Sequence, residues 1–190
     1  MKKKTKKNIR IIAVVIVVLI AAAFIGRGCI HRTVISYKEA GSRKTYKVKD
    51  KNLASYIEAN IPAAQDKDIE SVIDLSLEIT DKALDFSTGV KESDPNKLVL
   101  LGVANREGYA AFTAATGNYL IGKYGLSQVW EAKPVKGRFY LFGVDMRAKT
   151  KSDMFRDHDF VIFRNKATKR EITVDPVTYQ SWGIDRISKY

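Results

Sequence analysis

The order of hydrophobic patterns along the chain predicts an α+β fold, with helices first and an antiparallel sheet afterwards. Up to about Gly125, apolar residues recur at helical spacing, as Ile69, Val72 and Ile73 do. From Gln128 onward the period changes to two, and segments rich in Val, Ile, Phe and Tyr predict strands. Helices followed by strands, without βαβ alternation, are typical of this class. The 190 residues, 45% hydrophobic and 28% charged, exclude disordered and collagen-like classes.

The first element is predicted to be a membrane anchor. Residues 1–10 carry six basic residues and no acid, and residues 11–26 carry no charge. As a helix, the uncharged segment rises about 24 Å, which the stems of flanking Arg10 and Arg27 extend toward the roughly 30 Å hydrocarbon core. The positive-inside bias keeps the basic tail in the cytoplasm. We therefore predict a single-pass signal anchor over 11–26, with the remaining chain in the periplasm of a bacterium.

Two other fates of this segment stay open. A cleaved signal peptide would use the small residues Ala21, Ala22 and Ala23. A lipoprotein would carry its lipid on Cys29, for which Gly28 fits and Arg27 does not. Each of the three fates brings the chain to a membrane during export.

The remaining elements follow in order. Residues 27–49 are polar and weakly alternating, which predicts a linker or a weak hairpin. Residues 50–190 are predicted to form the folded domain. Its helices are expected over 50–60, 66–86 and 108–125, with a loop at 87–97, and its strands over 128–135, 138–146, 159–164 and 171–174. Turns are expected near Lys133–Gly137 and Asn165–Lys169.

The net charge of +12 belongs mainly to the membrane boundary. From Thr33 onward the chain has 25 basic and 21 acidic residues, a balance of only +4. The sequence therefore predicts no nucleic-acid partner. The single cysteine excludes an intrachain disulfide and any cluster of cysteine metal ligands.

Few residues are candidates for chemistry. A metal site would need His158 with Asp153, Asp157 and Asp159, but neighbouring strand residues point to opposite faces. The glycines between Gly102 and Gly108 match neither the dinucleotide nor the P-loop spacing, and no Gly-x-Ser-x-Gly turn is present. We predict no metal and no cofactor.

Three residues, Arg106, His158 and Asp175, form the candidate site. Arg106 opens a predicted helix, His158 starts one strand, and Asp175 ends the next. In a hairpin of those two strands, His158 and Asp175 lie side by side, so the carboxylate can fix the imidazole tautomer while the other ring nitrogen faces the helix terminus. That is the geometry of a cysteine protease or acyl-transferase, whose thiolate sits at a helix N-terminus.

The segments Asn105–Ala110, His158–Phe160 and Val174–Pro176 resemble the transglutaminase-like superfamily, a papain-related fold. In that family a Cys-x-Gly-Tyr-Ala helix start is followed by a strand His and a strand Asp-Pro. The resemblance covers roughly residues 52–177. It implies a papain/transglutaminase-like core of helices followed by an antiparallel sheet, behind the single N-terminal membrane helix, and a groove that binds an extended peptide or protein partner.

The family's nucleophile position is occupied by Arg106. A guanidinium stays protonated and cannot be an acyl acceptor, and Cys29 lies at the membrane end of the chain. The resemblance therefore implies a pseudoenzyme with a vestigial His158–Asp175 dyad, in which Arg106 pairs with an acid. The alternative is an active hydrolase or acyl-transferase on peptide or amide substrates that uses His158 and Asp175 without a cysteine. Structural roles for His158 and for the Asp175–Pro176 turn also stay open, as does the alternative that Arg106 is an ordinary solvated residue at a helix start.

Overall fold

The computed structural model describes residues 2–150 and 158–190, with side chains described from residue 11 onward. It confirms the α+β class, with seven α-helices and a mixed sheet in that part of the chain. The helices are α1 Lys2–Ile25, α2 Arg27–Val34, α3 Lys51–Ala59, α4 Ile69–Ala83, α5 Pro95–Leu101, α6 Arg106–Lys123 and α7 Pro176–Trp182. The strands are β1 Ile35–Ser42, β2 Asp85–Phe86, β3 Val103–Ala104, β4 Trp130–Leu141, β5 Val144–Asp145, β6 His158–Asn165, β7 Glu171–Val174 and β8 Ser188–Lys189.

The main sheet has the strand order β7-β6-β4-β1-β8, with β5 paired to the end of β4. β7, β6, β4 and β1 are antiparallel neighbours, and β8 joins β1 in parallel. β2 and β3 form a separate parallel pair. The predicted hairpin with its turn at Asn165–Lys169 is confirmed as β6 and β7, in which Val161 lies opposite Val174.

Two predicted strands, 128–135 and 138–146, are largely one long strand, β4. The turn expected near Lys133–Gly137 is therefore wrong. Val135 is the first residue of β4 that pairs with β1, and Pro134 comes immediately before it. The missing N–H of Pro134 therefore breaks no ladder hydrogen bond with β1. Gly137 stays in the strand because the ring of Phe160 fills its place: a Cβ there would lie 2.2 Å from Phe160 Cε1.

Helix α6 packs against the centre of the sheet and forms the core with it. Its residues from Gly108 to Gly117 are all buried. The predicted helices at 50–60 and 66–86 are confirmed as α3 and α4, which end earlier, at Ala59 and Ala83. The expected loop at 87–97 ends sooner, because Asp94 caps α5 and Pro95 fits its first position.

The expected linker or weak hairpin over 27–49 is replaced by α2 and β1. β1 is a strand of the main sheet, so the folded unit begins before residue 50. Only Tyr37 of β1 is buried, which explains why the hydrophobic pattern missed it. Pairing with β4 and β8, rather than apolar side chains, holds this strand in place.

The two N-terminal helices meet at Gly26 with a bend of 67°. Within the described residues, no single helix is long and apolar enough to cross a bilayer. The bent pair Ile11–Ile25 and Arg27–Val34 passes that test together, by length and composition only. The single membrane helix over 11–26 thus stays a prediction.

Candidate functional site

The site is built on Asp175, at the point where β7 ends and α7 begins. Its Oδ1 caps the helix by accepting hydrogen bonds from the backbone N–H groups of Val177 (2.9 Å) and Thr178 (3.1 Å). Pro176 occupies the first helical position, where no N–H is required. The Asp175 side chain is completely buried. The helix cap therefore holds the Asp175 carboxylate in a fixed position inside the domain.

The second oxygen of Asp175, Oδ2, accepts from three side chains. Thr178 Oγ1 donates at 2.6 Å, Tyr37 Oη donates at 3.2 Å, and His158 Nε2 is in direct contact. Burial alone would raise the pKa of Asp175, but the interaction with His158 and the hydrogen bonds from His158 and Thr178 lower it below its usual value. The carboxylate is therefore held ionised.

His158 opens β6 and points its ring into the domain. The imidazole packs against Tyr37 (5.2 Å between ring centroids) and Phe139 (6.2 Å), and only 10% of the side chain is exposed. Its Nδ1 is buried and has no hydrogen-bond partner in the described part of the chain. With Nε2 on Asp175, Nδ1 is the nitrogen left for a ligand or a proton. The structure thus brings His158 and Asp175 together as the hairpin predicted.

Arg106 is the first residue of α6, whose cap is Asn105. Asn105 Oδ1 accepts from Gly108 N (2.9 Å), and its Nδ2 donates to Val90 O (2.8 Å). The Arg106 guanidinium lies over the ring of Phe86, 5.5 Å from its centroid. Its Nε is buried without a partner among the described residues.

The expected pairing of Arg106 with an acid is wrong: in the described ranges it forms no ion pair. Its acidic sequence neighbour, Glu107, accepts from Arg43 at 2.8 Å. Buried Asp159 binds the same guanidinium through two hydrogen bonds, at 2.7 and 3.2 Å. Asp175 is saturated by His158, Tyr37 and Thr178. The nearby carboxylates therefore already have other partners.

Arg43 also positions the site. It joins the residue after Arg106 to the residue after His158, and so ties the start of α6 to the start of β6. A two-pronged contact to a carboxylate that is only 6% exposed has little freedom. The two candidate residues are held in a fixed relation by this bridge.

Arg106 and His158 line one cavity of about 440 Å³, within the range of roughly 300–1,000 Å³ typical of small-molecule sites. The N-terminal segment forms one wall, through Ala23, Arg27, Ile30, His31, Val34 and Ile35. The other walls of the cavity are formed by Tyr37, Phe139 and residues of α7. None of the residues that line the cavity is acidic.

Sequence reasoning missed two residues of this cavity, Tyr37 and His31. Both lie in the segment interpreted as a linker, and only the alternation of Ile35 and Tyr37 signalled a strand. The His31 ring packs against Tyr37 (6.2 Å between centroids), and its Nδ1 is buried without a partner in the described residues. The cavity therefore holds a second unpaired imidazole nitrogen.

Another depression, of about 610 Å³, lies away from His158, beside Glu70 and Arg186. Its charged groups are paired with each other: Glu70 contacts Arg170 at 3.2 Å and Arg186 at 2.9 Å. These charges already have partners, which leaves less of their hydrogen-bonding capacity for a ligand. The smaller cavity, with unpaired polar atoms, is the better candidate site.

Metal and thiol chemistry find no support in the described residues. They contain no group of three or more His, Cys, Asp or Glu side chains that could hold a metal, while Asp153 and Asp157 lie outside them. Cys29 is exposed and is not among the residues that line the cavity.

Comparison with family models, with curated proteins and with solved structures finds no match to this chain.

Proposed function

We propose that this chain is a membrane-tethered, transglutaminase-like domain that binds a ligand without turning it over. The observation that carries the proposal is the orienting pair of His158 and Asp175, which shares a cavity with an arginine at the start of α6. A histidine held by a buried carboxylate is the partner a nucleophile needs. Here the helix start offers a cation in place of that nucleophile.

The fold supports this proposal through the order of its parts. A buried helix, α6, packs on an antiparallel sheet, and its first residue faces the cavity that His158 also lines. Two observations support the proposal: Arg106 of α6 and His158 of β6 line one cavity, and Asp175 at the β7–α7 junction contacts His158. The guanidinium stays protonated and cannot form an acyl intermediate.

Membrane tethering is supported by the exposed surface of α1. Eleven large apolar side chains between Ile11 and Ile25 are exposed, a patch far larger than soluble monomers present. We propose that residues 11–26 anchor the chain in the inner membrane of a bacterium. The basic tail, residues 1–10, would lie in the cytoplasm and the domain in the periplasm.

An extended peptide or a protein partner is the class of ligand that the resemblance implies for a papain-related groove. No nucleic acid is proposed, because the charge balance beyond the anchor is nearly neutral.

The test is Arg106→Cys in the full chain, with Cys29→Ser to remove the exposed thiol. We expect iodoacetamide at pH 6 to label the introduced thiol at least about tenfold faster than a surface thiol, because a helix N-terminus and an imidazole favour the thiolate. The matched control is Arg170→Cys, whose position is 63% exposed. Adding His158→Ala should remove the acceleration. Equal labelling rates at both positions would overturn the proposed site.

A second candidate function, hydrolysis without a cysteine, is favoured by the unpartnered Nδ1 of His158. That nitrogen is placed to take a proton from water, with Arg106 holding a substrate carboxylate. Turnover of peptide or amide substrates that disappears in His158→Ala would establish it. The binding proposal expects no turnover by the unmodified chain.

A further inference from the structure

The lining of the 440 Å³ cavity combines unpaired nitrogen atoms with apolar walls. Arg106 Nε, His158 Nδ1 and His31 Nδ1 are buried without partners in the described part of the chain, and all three residues line this cavity. Arg106 Nε is always a donor, His158 Nδ1 donates when its ring is protonated, and His31 Nδ1 donates in the tautomer that carries its proton there. An unpaired buried donor costs free energy, so the cavity indicates a missing acceptor.

The charge of the lining specifies the acceptor. Arg106 and Arg27 are cationic, and no acid is among the residues that line the cavity. Burial lowers the pKa of His31, so this ring favours its neutral form and contributes a hydrogen bond rather than a charge. Arg27 is already engaged, since its Nε donates to Trp182 O at 2.7 Å. Arg106 has no ion-pair partner in the described ranges. The complementary group is an anion, and a carboxylate or a phosphate matches the geometry of a guanidinium.

The walls specify the rest of the ligand. Ile30, Val34 and Ile35 form one side, and Phe139 and Ile184 contribute to the others. An extended peptide would bring an N–H and a C=O for every residue, which apolar walls leave unpaired. A hydrocarbon chain brings none, and each methylene removed from water adds favourable free energy.

The position of the cavity supplies a source of such a ligand. One wall is α2 with the end of α1, and the exposed apolar surface of α1 leads into that wall. Arg27 stands in that wall between Ala23 and Ile30, and its guanidinium is held by the backbone carbonyls of Trp182 and Phe24. We propose that the cavity binds a single-chain amphiphile, with its anionic head at Arg106, His158 and His31 and its hydrocarbon chain against Ile30, Val34 and Ile35.

This inference concerns what occupies the cavity, and it rests on the proposed function only in that the site binds without turnover. The source of the anion is either a free fatty carboxylate or a phosphate-headed lipid, because both present acceptors to the same nitrogens.

The test uses the full chain in phosphatidylcholine nanodiscs and a twelve-carbon carboxylate with a terminal diazirine. After irradiation, we expect adducts on the peptides that contain Ile30–Ile35 and Trp182–Ile184. The alcohol of the same chain length should label these peptides at least about fivefold less. Dodecanoate and dodecyl phosphate are compared as competitors, and the one that halves the labelling at the lower concentration identifies the preferred head group.

Arg106→Gln should lower the labelling at least about fivefold, whereas Arg106→Lys should retain most of it. The matched control, Arg170→Gln, removes an exposed cation elsewhere and should change nothing. Ile30→Asp, at a position that is 51% exposed, adds an acid to the wall without disturbing the core, and should also reduce labelling. It keeps the test valid if Arg106→Gln does not fold.

Equal labelling by the alcohol, or adducts confined to residues 11–25, would overturn the proposal. Competition by an apolar tripeptide with a free carboxylate, with none by dodecanoate, would overturn it in favour of a peptide ligand. If the thiol introduced at position 106 is activated while the probe does not label, the binding module stands and the amphiphile is rejected. Labelling without thiol activation keeps the amphiphile and rejects the vestigial site.

Discussion

Asp175 serves the helix and the site with different oxygen atoms. Its Oδ1 caps α7, while its Oδ2 gathers His158, Tyr37 and Thr178. One carboxylate therefore orients the imidazole, fixes the buried phenol and begins a helix. A substitution that keeps the cap and changes only the Oδ2 contacts measures what those contacts contribute to stability.

Asp175→Asn is expected to lower the free energy of unfolding by about 3 kcal/mol, because an amide can cap α7 but turns an NH₂ group toward three donors. The measurement is urea unfolding of the full chain in a nonionic detergent, followed by tryptophan fluorescence. The matched control is Asp50→Asn, since Asp50 caps α3 by accepting from Asn52 N at 2.7 Å. Asparagine caps helices as well as aspartate does, so we expect no loss there. An equal loss in both variants would assign the effect to capping alone.

Residue by residue, the sequence predicted the part of the site that depends on near neighbours. His158 and Asp175 belong to one hairpin, so their approach followed from a short turn. Tyr37 reaches Asp175 from 138 residues away, and nothing in a local pattern encodes that contact. The pairing of Arg106 failed for the same reason, because distant Arg43 takes the neighbouring carboxylates.

Among the elements, α6 determines how closely helices and sheet approach. Gly117 lies against the ring of Phe163 in β6, where a Cβ would lie 2.7 Å from Cε1 and 2.9 Å from Cζ. A side chain there would force the helix and the strand apart. At Gly122, in the last turn of the same helix, a Cβ would meet only Ser127 Oγ, at 3.8 Å, which is an ordinary van der Waals contact.

Gly117→Ala is expected to destabilise the chain by about 2 kcal/mol through overpacking against Phe163. Gly122→Ala changes the same residue type in the same helix and is expected to stabilise it by about 0.5 kcal/mol, because alanine loses less backbone entropy. Thermal unfolding followed by circular dichroism measures both. If the two variants shift the melting temperature in the same direction, packing at Gly117 does not control how closely helix α6 lies to strand β6.

At this scale, the sequence pattern predicted helix α6 from Phe112, Thr116 and Leu120 on adjacent turns, and the β6–β7 hairpin from Val, Ile and Phe residues around the turn at Asn165–Lys169. It divided β4 in two because Pro134 and Gly137 are turn residues in most contexts. Their places in the strand depend on where β1 stops pairing and on the ring of Phe160, and both conditions lie outside the local window.

For the whole molecule, buried or bonded carboxylates control acid stability. Glu92 accepts from Asp94 N (2.9 Å), Lys97 Nζ (2.9 Å) and Ser93 N (3.0 Å), which lower its pKa to about 2. The pKa of Asp175 is lowered too, against the effect of burial. A carboxyl group whose folded pKa is lower than its unfolded pKa stabilises the fold above the unfolded value, and this is lost as the pH falls.

We expect the urea midpoint to decrease between pH 5 and pH 3, as these two groups begin to take up protons more readily in the unfolded chain. Glu92→Gln should lower the midpoint at pH 5 and make it change less between the two pH values. Glu78→Gln is the control, since that residue is 48% exposed in a surface pair with Lys82. A midpoint that rises on acidification would contradict the assignment.

The α+β class followed from the order of helical and alternating segments, but the sheet order did not. β1 comes before every helix of the domain and yet lies between β4 and β8. Its position is set by backbone pairing, which side-chain patterns do not report when only Tyr37 is buried. The predicted start of the folded domain at residue 50 missed β1 for the same reason.

The neighbouring positions of β1 and β8 constrain the order in which the chain can fold. Ser188 Oγ donates to Arg32 O, 156 residues earlier, and Tyr190 N donates to Tyr37 O. β8 follows β1 in the chain with the other strands of the sheet between them, so the outer edge of β1 is unpaired until β8 arrives. An unpaired edge is a site of misassembly. Chains that stop short of residue 188 are therefore expected to expose this sheet edge to the proteases and chaperones that meet them.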